Sequence, residues 1–579
     1  MSTENKKSST KKGWTPIGSL PSFFSNTDPD PFSAIPSFQA VGVSLLTRPW
    51  IPMKKTIQLT NEQSKTIAKI VFSGKEKSKE AAKEALQGDN RFKAEEWSNH
   101  KRYATLALSY MYWRQGVMDL IAEAPNLDER TRLKAKFFAE QMVDMLSPSN
   151  NPLLNPQVLQ EAKKTKGKSL LQGMRNWMHD IRKGVSVPTQ SEDGAFIVGK
   201  DIANTPGEVV ARNALCEIIQ YTPTTEKVHE TPLLIIPPWI NKYYILDLGE
   251  EKSYIKYLVD QGYTVFTISW KNPTADMSST SFADYVLHGA LFARSVIADI
   301  TGVKNPAAIG YCIGGTLLAV SQAYAKAAKE ETFGSLTFFT TMVDFCEPGE
   351  VSLFIDERAI QHIEDNMKKK GFLDGAEMGS TFAYMRAKDL LWNYFVDNYL
   401  LGKTPRPFDI LAWNADSTRM PATMHGWYLR NMYLNNLLRV PGALEINGQP
   451  LDLTSITEDI YMVGAETDHI APAKTVFKIH SHTRANIQYV LGFSGHIAGI
   501  VNPVKKNKGY YYVSKPIQGP FHGEMEEWKE TATKHTGSWW KHHDGWLQKH
   551  CGKKVAPPSM GSKTHKSICP APGLYVLEK

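Results

Sequence analysis

Residues 306–320 read PAAIGYCIGGTLLAV. The apolar run PAAIG suits a buried strand, and IGGTLLAV suits the opening of a helix. Cys312 falls between them with a glycine on each side, in the form G-x-C-x-G. Small residues there permit a sharp, strained turn from strand to helix, which lifts the intervening side chain above the sheet. The amide of Ile313 then faces the space beside the sulfur and can donate to an oxyanion. The helix N-terminus adds partial positive charge at the same place. A free cysteine is usually just a small buried apolar group. Strand, glycines and helix in register make Cys312 a candidate nucleophile instead.

Outward from this turn, short apolar runs alternate with helical patterns. PLLIIPPW (232–239), YTVFTISW (263–270), LTFFTTMVD (336–344), DIYMVGAE (459–466) and IQYVLGF (487–493) read as buried strands, with SFADYVLHGALFARSVIADI (281–300) and IGGTLLAVSQAYAKAAKE (313–330) as helices. That alternation predicts an α/β fold with a mostly parallel sheet covered on both faces. A nucleophile on such a turn needs an acid and a histidine, in that chain order. Asp468 follows one strand in GAETDHI, and His496 follows the next in FSGHIAG. The expected triad is Cys312, Asp468 and His496. His469, adjacent to its own orienting acid, ranks second as base. Cys346, just past a strand end, reads as structural. His542 and His543 read as surface residues, and no metal is expected because no acid or cysteine stands at a helical step from them.

Residues 1–55, rich in Ser, Thr, Pro and Lys, read as a loosely held arm. Residues 56–190 read as a helical N-terminal domain; DERTRLKAKFFAEQMVDML carries one apolar stripe, and Leu170, Leu171, Met174, Trp177, Met178 and Ile181 form another. Polar VPTQSEDG (187–194) marks the boundary to a catalytic domain over 191–579. Residues of about 345–445, rich in Trp, Tyr, Met and Phe, interrupt the strand–helix rhythm as a cap or lid. Residues 531–579, with eight Lys and two acids, read as a solvated tail.

Composition narrows the function classes. In 579 residues, 42 % hydrophobic and 22 % charged, there is ample material for a large core, so a mainly disordered chain is excluded. A net charge of +8 is mild and comes without a basic–aromatic stripe, so no nucleic-acid partner is expected. Five cysteines without a CxxC pair give neither a disulfide framework nor a zinc site. The polar, lysine-rich start does not read as a secretory signal, and no apolar run suggests a membrane span, so the expected location is the cytoplasm.

At these residues the chain resembles the polyhydroxyalkanoate synthases, most closely their single-subunit class I. The resemblance runs from about Asp89 onward. It rests on the box Gly310-Tyr311-Cys312-Ile313-Gly314-Gly315, PPWINKYYILDL (237–248), SWKNP (269–273), VDFCEPGE (343–350), WYLRNMYL (427–434), GAETDHIAP (464–472), GFSGHIAGIVNP (492–503) and GSWW (537–540). It implies an α/β-hydrolase catalytic domain with a cap, in which Cys312 accepts the acyl group, His496 is its base and Asp468 the third member. It also implies a second oxyanion donor, the amide of Ile240, beside an unusually bulky Trp239. Positions matching Ser253, Gly315, Asp344, Trp413 and Gly495 are ones on which that family depends. Physical reasoning alone makes Asp344 a strand-end cap and Trp413 a packing residue.

The resemblance further implies polymerisation of (R)-3-hydroxyacyl-CoA, of the short-chain kind such as 3-hydroxybutyryl-CoA, into polyester with release of CoA. No cofactor is expected beyond the CoA that the substrate carries. The implied partners are the growing polyester, a granule surface and a second copy in a homodimer. The alternatives are a thioesterase or polyester hydrolase on the same fold, and a non-enzymatic granule-surface protein.

Overall fold

The computed structural model describes residue 30 and residues 32–48, 50–185 and 187–579. Its main sheet is built from β1 (Gly207–Arg212), β2 (Cys216–Tyr221), β3 (Leu233–Ile236), β4 (Val265–Trp270), β5 (Ala307–Tyr311), β6 (Leu336–Phe339), β7 (Ile460–Ala465), β8 (Asn486–Gly492), β9 (Tyr510–Val513), β10 (Ile517–Gln518), β11 (Thr533–Thr536) and β12 (Cys569–Pro570). The order is β11-β9-β8-β7-β6-β5-β3-β4-β2-β1-β12, with β10 beside β8. The stretch β4-β3-β5-β6-β7-β8 is parallel throughout. The flanking pairs are antiparallel. The parallel strands are those expected from their apolar runs. The edge strands were not anticipated, because they are short and mixed in polarity.

Alternation sets which face each side chain takes. Leu234 and Ile236 pack with Phe266 and Ile268 into one core. Leu233 and Ile235 pack with Val265 and Ile309 into the core on the opposite face. Burial on both faces explains why these strands read as unbroken apolar runs.

The N-terminal region is helical, as expected, with helices Trp50–Phe72, Lys101–Ala122, Glu129–Met145 and Lys168–Lys183 among its parts. The expected loose arm needs correction in its second half. Residues 1–29 lie outside the described residues, but Ala34–Thr47 is a helix. Its Phe38, Val41 and Leu45, at three- and four-residue steps, join the core of the helical region, which outweighs the polar composition around them. On Lys168–Lys183 the apolar stripe forms but stays largely outward, with Leu171, Met174 and Ile181 exposed. Between β6 and β7 the chain leaves the sheet and builds a cap that includes helices Glu357–Lys370, Gly375–Met385, Asp409–Ala415 and Ala422–Tyr428. No described helix is long and apolar enough to cross a membrane.

The expected solvated tail is also corrected. Residues 531–579 supply β11, β12 and the helix Trp540–His550. Trp539 and Trp540 are buried, and their indole N–H groups donate to the carbonyls of Gly499 and Ile500, each at 2.9 Å. Apolar anchors spaced among the lysines, not the lysines, decide the fate of this segment. The final residues reach across the sheet: the backbone amide of Asn272 donates to Glu578 at 3.1 Å, and Lys242 donates to the Glu578 carbonyl at 2.7 Å. His543, expected at the surface, is fully buried. Its Nδ1 meets the Tyr254 hydroxyl and its Nε2 lies 3.0 Å from the Thr337 hydroxyl. His542 is half-buried, 2.8 Å from the Tyr461 hydroxyl. The helix carrying both packs flat on the sheet and turns them inward. Among the described residues no group of three or more metal-ligating side chains converges.

Candidate active site

Cys312 sits between β5 and the helix Ile313–Ala328, with φ 54° and ψ −124°. A non-glycine residue in this region is strained and persists only when its surroundings enforce it. Two glycines let the strand and helix close around it. A β-carbon on Gly310 would collide with the backbone of Gly315, and one on Gly315 would collide with the Thr341 side chain. The turn is pinned from below, where the Cys312 amide donates to the Phe339 carbonyl at 2.9 Å.

His496 and Asp468 arrive from the ends of β8 and β7 on the same edge of the sheet. His496 Nδ1 lies 2.6 Å from Asp468 Oδ2. The other carboxylate oxygen accepts the amides of Ile470 and Ala471, at 2.8 and 2.9 Å. The Cys312 sulfur also bears on this ring, and both residues line the same cavity. Burial works against the imidazolium, but the Asp468 carboxylate and the Cys312 sulfur outweigh it and hold His496 well above its usual value. The Tyr311 hydroxyl donates to the His496 carbonyl at 3.0 Å and steadies the loop. Tyr311 lies inside the quoted box, yet nothing in its spacing marks this role.

Above these residues lies a cavity of about 400 Å³, closed on its far side by cap residues such as Met378, Phe382, Tyr428 and Leu429. Ile240, Ile313, Cys312 and His496 line its core side. The amides of Ile240 and Ile313 have no acceptor among the described residues, which leaves both free for an oxyanion. The bulk of Trp239 does not obstruct this. Its ring turns into the core against Trp270, Phe282 and Tyr285, while its carbonyl is held by the Thr418 hydroxyl.

The other expected positions divide. Trp413 and Gly495 line the cavity. The Trp413 indole donates to the Lys242 carbonyl at 2.7 Å, so it braces the loop that carries Ile240. A β-carbon on Gly495 would meet nothing closer than the Thr467 carbonyl at 3.5 Å; what it would take is cavity space. His469 lines the cavity too, but its Nδ1 has no partner among the described residues. Burial first, then Arg386, lowers its pKa. It makes no hydrogen bond to Asp468, whose bonds run to His496 and to the two amides. Ser253 is away from the cavity: it caps the helix Tyr254–Asp260 and joins Thr205 and Asp247. Cys346 is exposed, with Lys478 Nζ at 2.8 Å from its sulfur.

Asp344 does not line the cavity. It is buried at the junction of cap and core, accepting from His482 at 2.9 Å, from Asn436 of the cap at 2.7 Å and from the Cys346 amide at 2.9 Å. Burial alone would raise its pKa, but the His482 and Asn436 hydrogen bonds hold it well below the usual carboxylate range. A depressed acid stabilises the fold above its unfolded value, about pH 4, and that stability drains away as pH falls toward the folded value. Asp344→Asn is therefore expected to lose about 3 kcal/mol at pH 7 and to show a flatter loss of stability below pH 4 than the wild type. Urea unfolding at pH 7 and at pH 3.5 checks both.

The comparisons with known proteins agree with this fold. The family model described as the N-terminus of poly-beta-hydroxybutyrate polymerase matches residues 88–258, and the alpha/beta hydrolase fold matches residues 232–503. A poly(3-hydroxyalkanoate) polymerase subunit of Rhizobium etli is 43 % identical over 493 residues, covering 85 % of this chain and 77 % of that one. The polymerase of Methylorubrum extorquens is 42 % identical, over 85 % of this chain and 81 % of its own. The subunit of Cupriavidus necator is 39 % identical, over 85 % and 83 %. With an α/β-hydrolase sheet and relatives of this identity along most of its length, the chain belongs to the poly(3-hydroxyalkanoate) polymerase family of acyltransferases.

Proposed function

We propose that this chain polymerises (R)-3-hydroxyacyl-CoA, of short chain such as 3-hydroxybutyryl-CoA, through an acyl thioester on Cys312. The observation that carries the reading is the 2.6 Å pairing of Asp468 with His496, whose ring lines one capped cavity together with Cys312. His496 takes the thiol proton as the sulfur attacks the thioester carbonyl. The amides of Ile313 and Ile240 hold the oxyanion. The C–S bond to CoA breaks, and the proton passes from His496 to the leaving thiolate. A thiol suits this exchange, because the departing group is as stable as the attacking one. His496 next deprotonates the hydroxyl of a second acyl unit, which attacks the acyl–Cys312 carbonyl; the C–S bond to Cys312 breaks, the sulfur takes the proton back from His496, and the chain is longer by one ester.

Water would divert the intermediate to free acid. Apolar cap residues over the sulfur favour the hydroxyl of the bound chain instead. On this reading the chain needs no cofactor beyond the CoA its substrate brings. It works in the cytoplasm as a homodimer at the surface of a polyester granule. Purified protein given 3-hydroxybutyryl-CoA is expected to release CoA in step with polymer. CoA release matched by free 3-hydroxybutyrate would make it a thioesterase, and no CoA release would leave the granule-surface reading.

A further inference from the structure

The cap places a histidine in the roof of the catalytic cavity. His425 lies on the helix Ala422–Tyr428, is 4 % exposed and lines the cavity. Tyr428 and Leu429, three and four residues on, line it as well, so one face of this helix forms part of the roof. Cys312 lines the same cavity as this face. His425 Nδ1 has no hydrogen-bond partner among the described residues. Burial pushes the ring down to about 4, so at neutral pH it is an uncharged imidazole with one donor and one acceptor nitrogen.

A buried ring nitrogen left without a protein partner is costly unless a bound molecule completes its hydrogen bond. The occupant of this cavity, on the reading above, carries an oxygen at a fixed place. The acyl unit on Cys312 has its carbonyl at C1 and an oxygen on C3, a hydroxyl in the first unit and an ester oxygen once the chain has grown. Both forms accept a hydrogen bond, and the alkyl remainder of the unit offers nothing polar.

We propose that His425 is a specificity-determining residue whose ring N–H donates to the C3 oxygen of the acyl unit on Cys312. It selects 3-oxygenated acyl groups over plain fatty acyl groups and holds the unit in one rotation about its C2–C3 bond. This rests on the reading of Cys312 as the acyl acceptor. A site built to bond a substrate oxygen discriminates against the analogue that lacks it, because its own buried polar group is then left unpaired.

Single-turnover acylation tests this with two thioesters, 3-hydroxybutyryl-CoA and butyryl-CoA, reading CoA thiol release. Butyryl-CoA can load the sulfur but cannot elongate, so loading is seen in isolation. Wild type is expected to load the hydroxylated thioester at least about tenfold faster. His425→Phe should remove most of that preference, the loss falling mainly on the hydroxylated thioester, and His425→Asn, which keeps a polar group near Nδ1, should restore part of it. If the Phe variant does not fold, the same ratio in the Asn variant against wild type decides. An unchanged ratio in the variants, or an equal fall for both thioesters, overturns the proposal. Wild type that loads neither thioester overturns the Cys312 reading instead.

Discussion

Cys312→Ala is expected to release no CoA from 3-hydroxybutyryl-CoA, and Cys312→Ser to fall by roughly 10³-fold or more. Alanine removes the sulfur that, on the proposed reading, carries the acyl group. Serine keeps the shape, and nothing around φ 54° prevents it from occupying the turn. What it lacks is acidity: a hydroxyl needs a stronger base than a thiol to attack at neutral pH. The two variants therefore separate chemistry from architecture, provided both unfold at the wild-type temperature. Substantial thiol release by the alanine variant would place the acyl group elsewhere.

Asp468→Asn is expected to slow acylation and elongation together, each by about 10²–10⁴-fold. The structure gives a reason for the equal loss. The Asp468 side chain is fully buried, one oxygen on His496 and the other on the amides of Ile470 and Ala471. It does not border the cavity, whereas His496 does. An acid so placed orients the imidazole and stabilises its charged form; it cannot reach a hydroxyl on the bound chain. Single-turnover loading with labelled substrate, followed by a chase that reports elongation, measures the two steps separately. A variant that loads normally but fails to elongate would show that the carboxylate takes the second proton itself.

The parts of this molecule that could be read from its sequence are those governed by local chemistry. Cys312 between glycines, Asp468 after one strand and His496 after the next all follow from the turn geometry of a parallel sheet, whose central strands announce themselves by double-sided burial. The outer antiparallel strands β1, β9 and β11 do not, because a short, partly covered strand of mixed polarity resembles a loop. Trp539 and Trp540 sit among lysines, and composition hid the anchor they provide. His425 gave no signal at all: one histidine in a helix of aromatic and apolar residues becomes meaningful only when the cap folds it over the sulfur. Asp344 and Ser253 show the converse. Both are chemically suggestive side chains, and both serve the joints of the fold rather than the cavity.

The reach of the final residues across the sheet has a practical edge. Lys242, gripped by the Glu578 carbonyl, offers its own carbonyl to the Trp413 indole, and the same short loop bears the Ile240 amide. A protease that nibbled away residues 575–579 would leave sulfur, imidazole and carboxylate untouched, yet it would knock out the distant abutment of the loop that bears the proposed oxyanion donor. Damage of that kind would masquerade as a catalytic lesion, in a protein whose Cys312, His496 and Asp468 were all still in place.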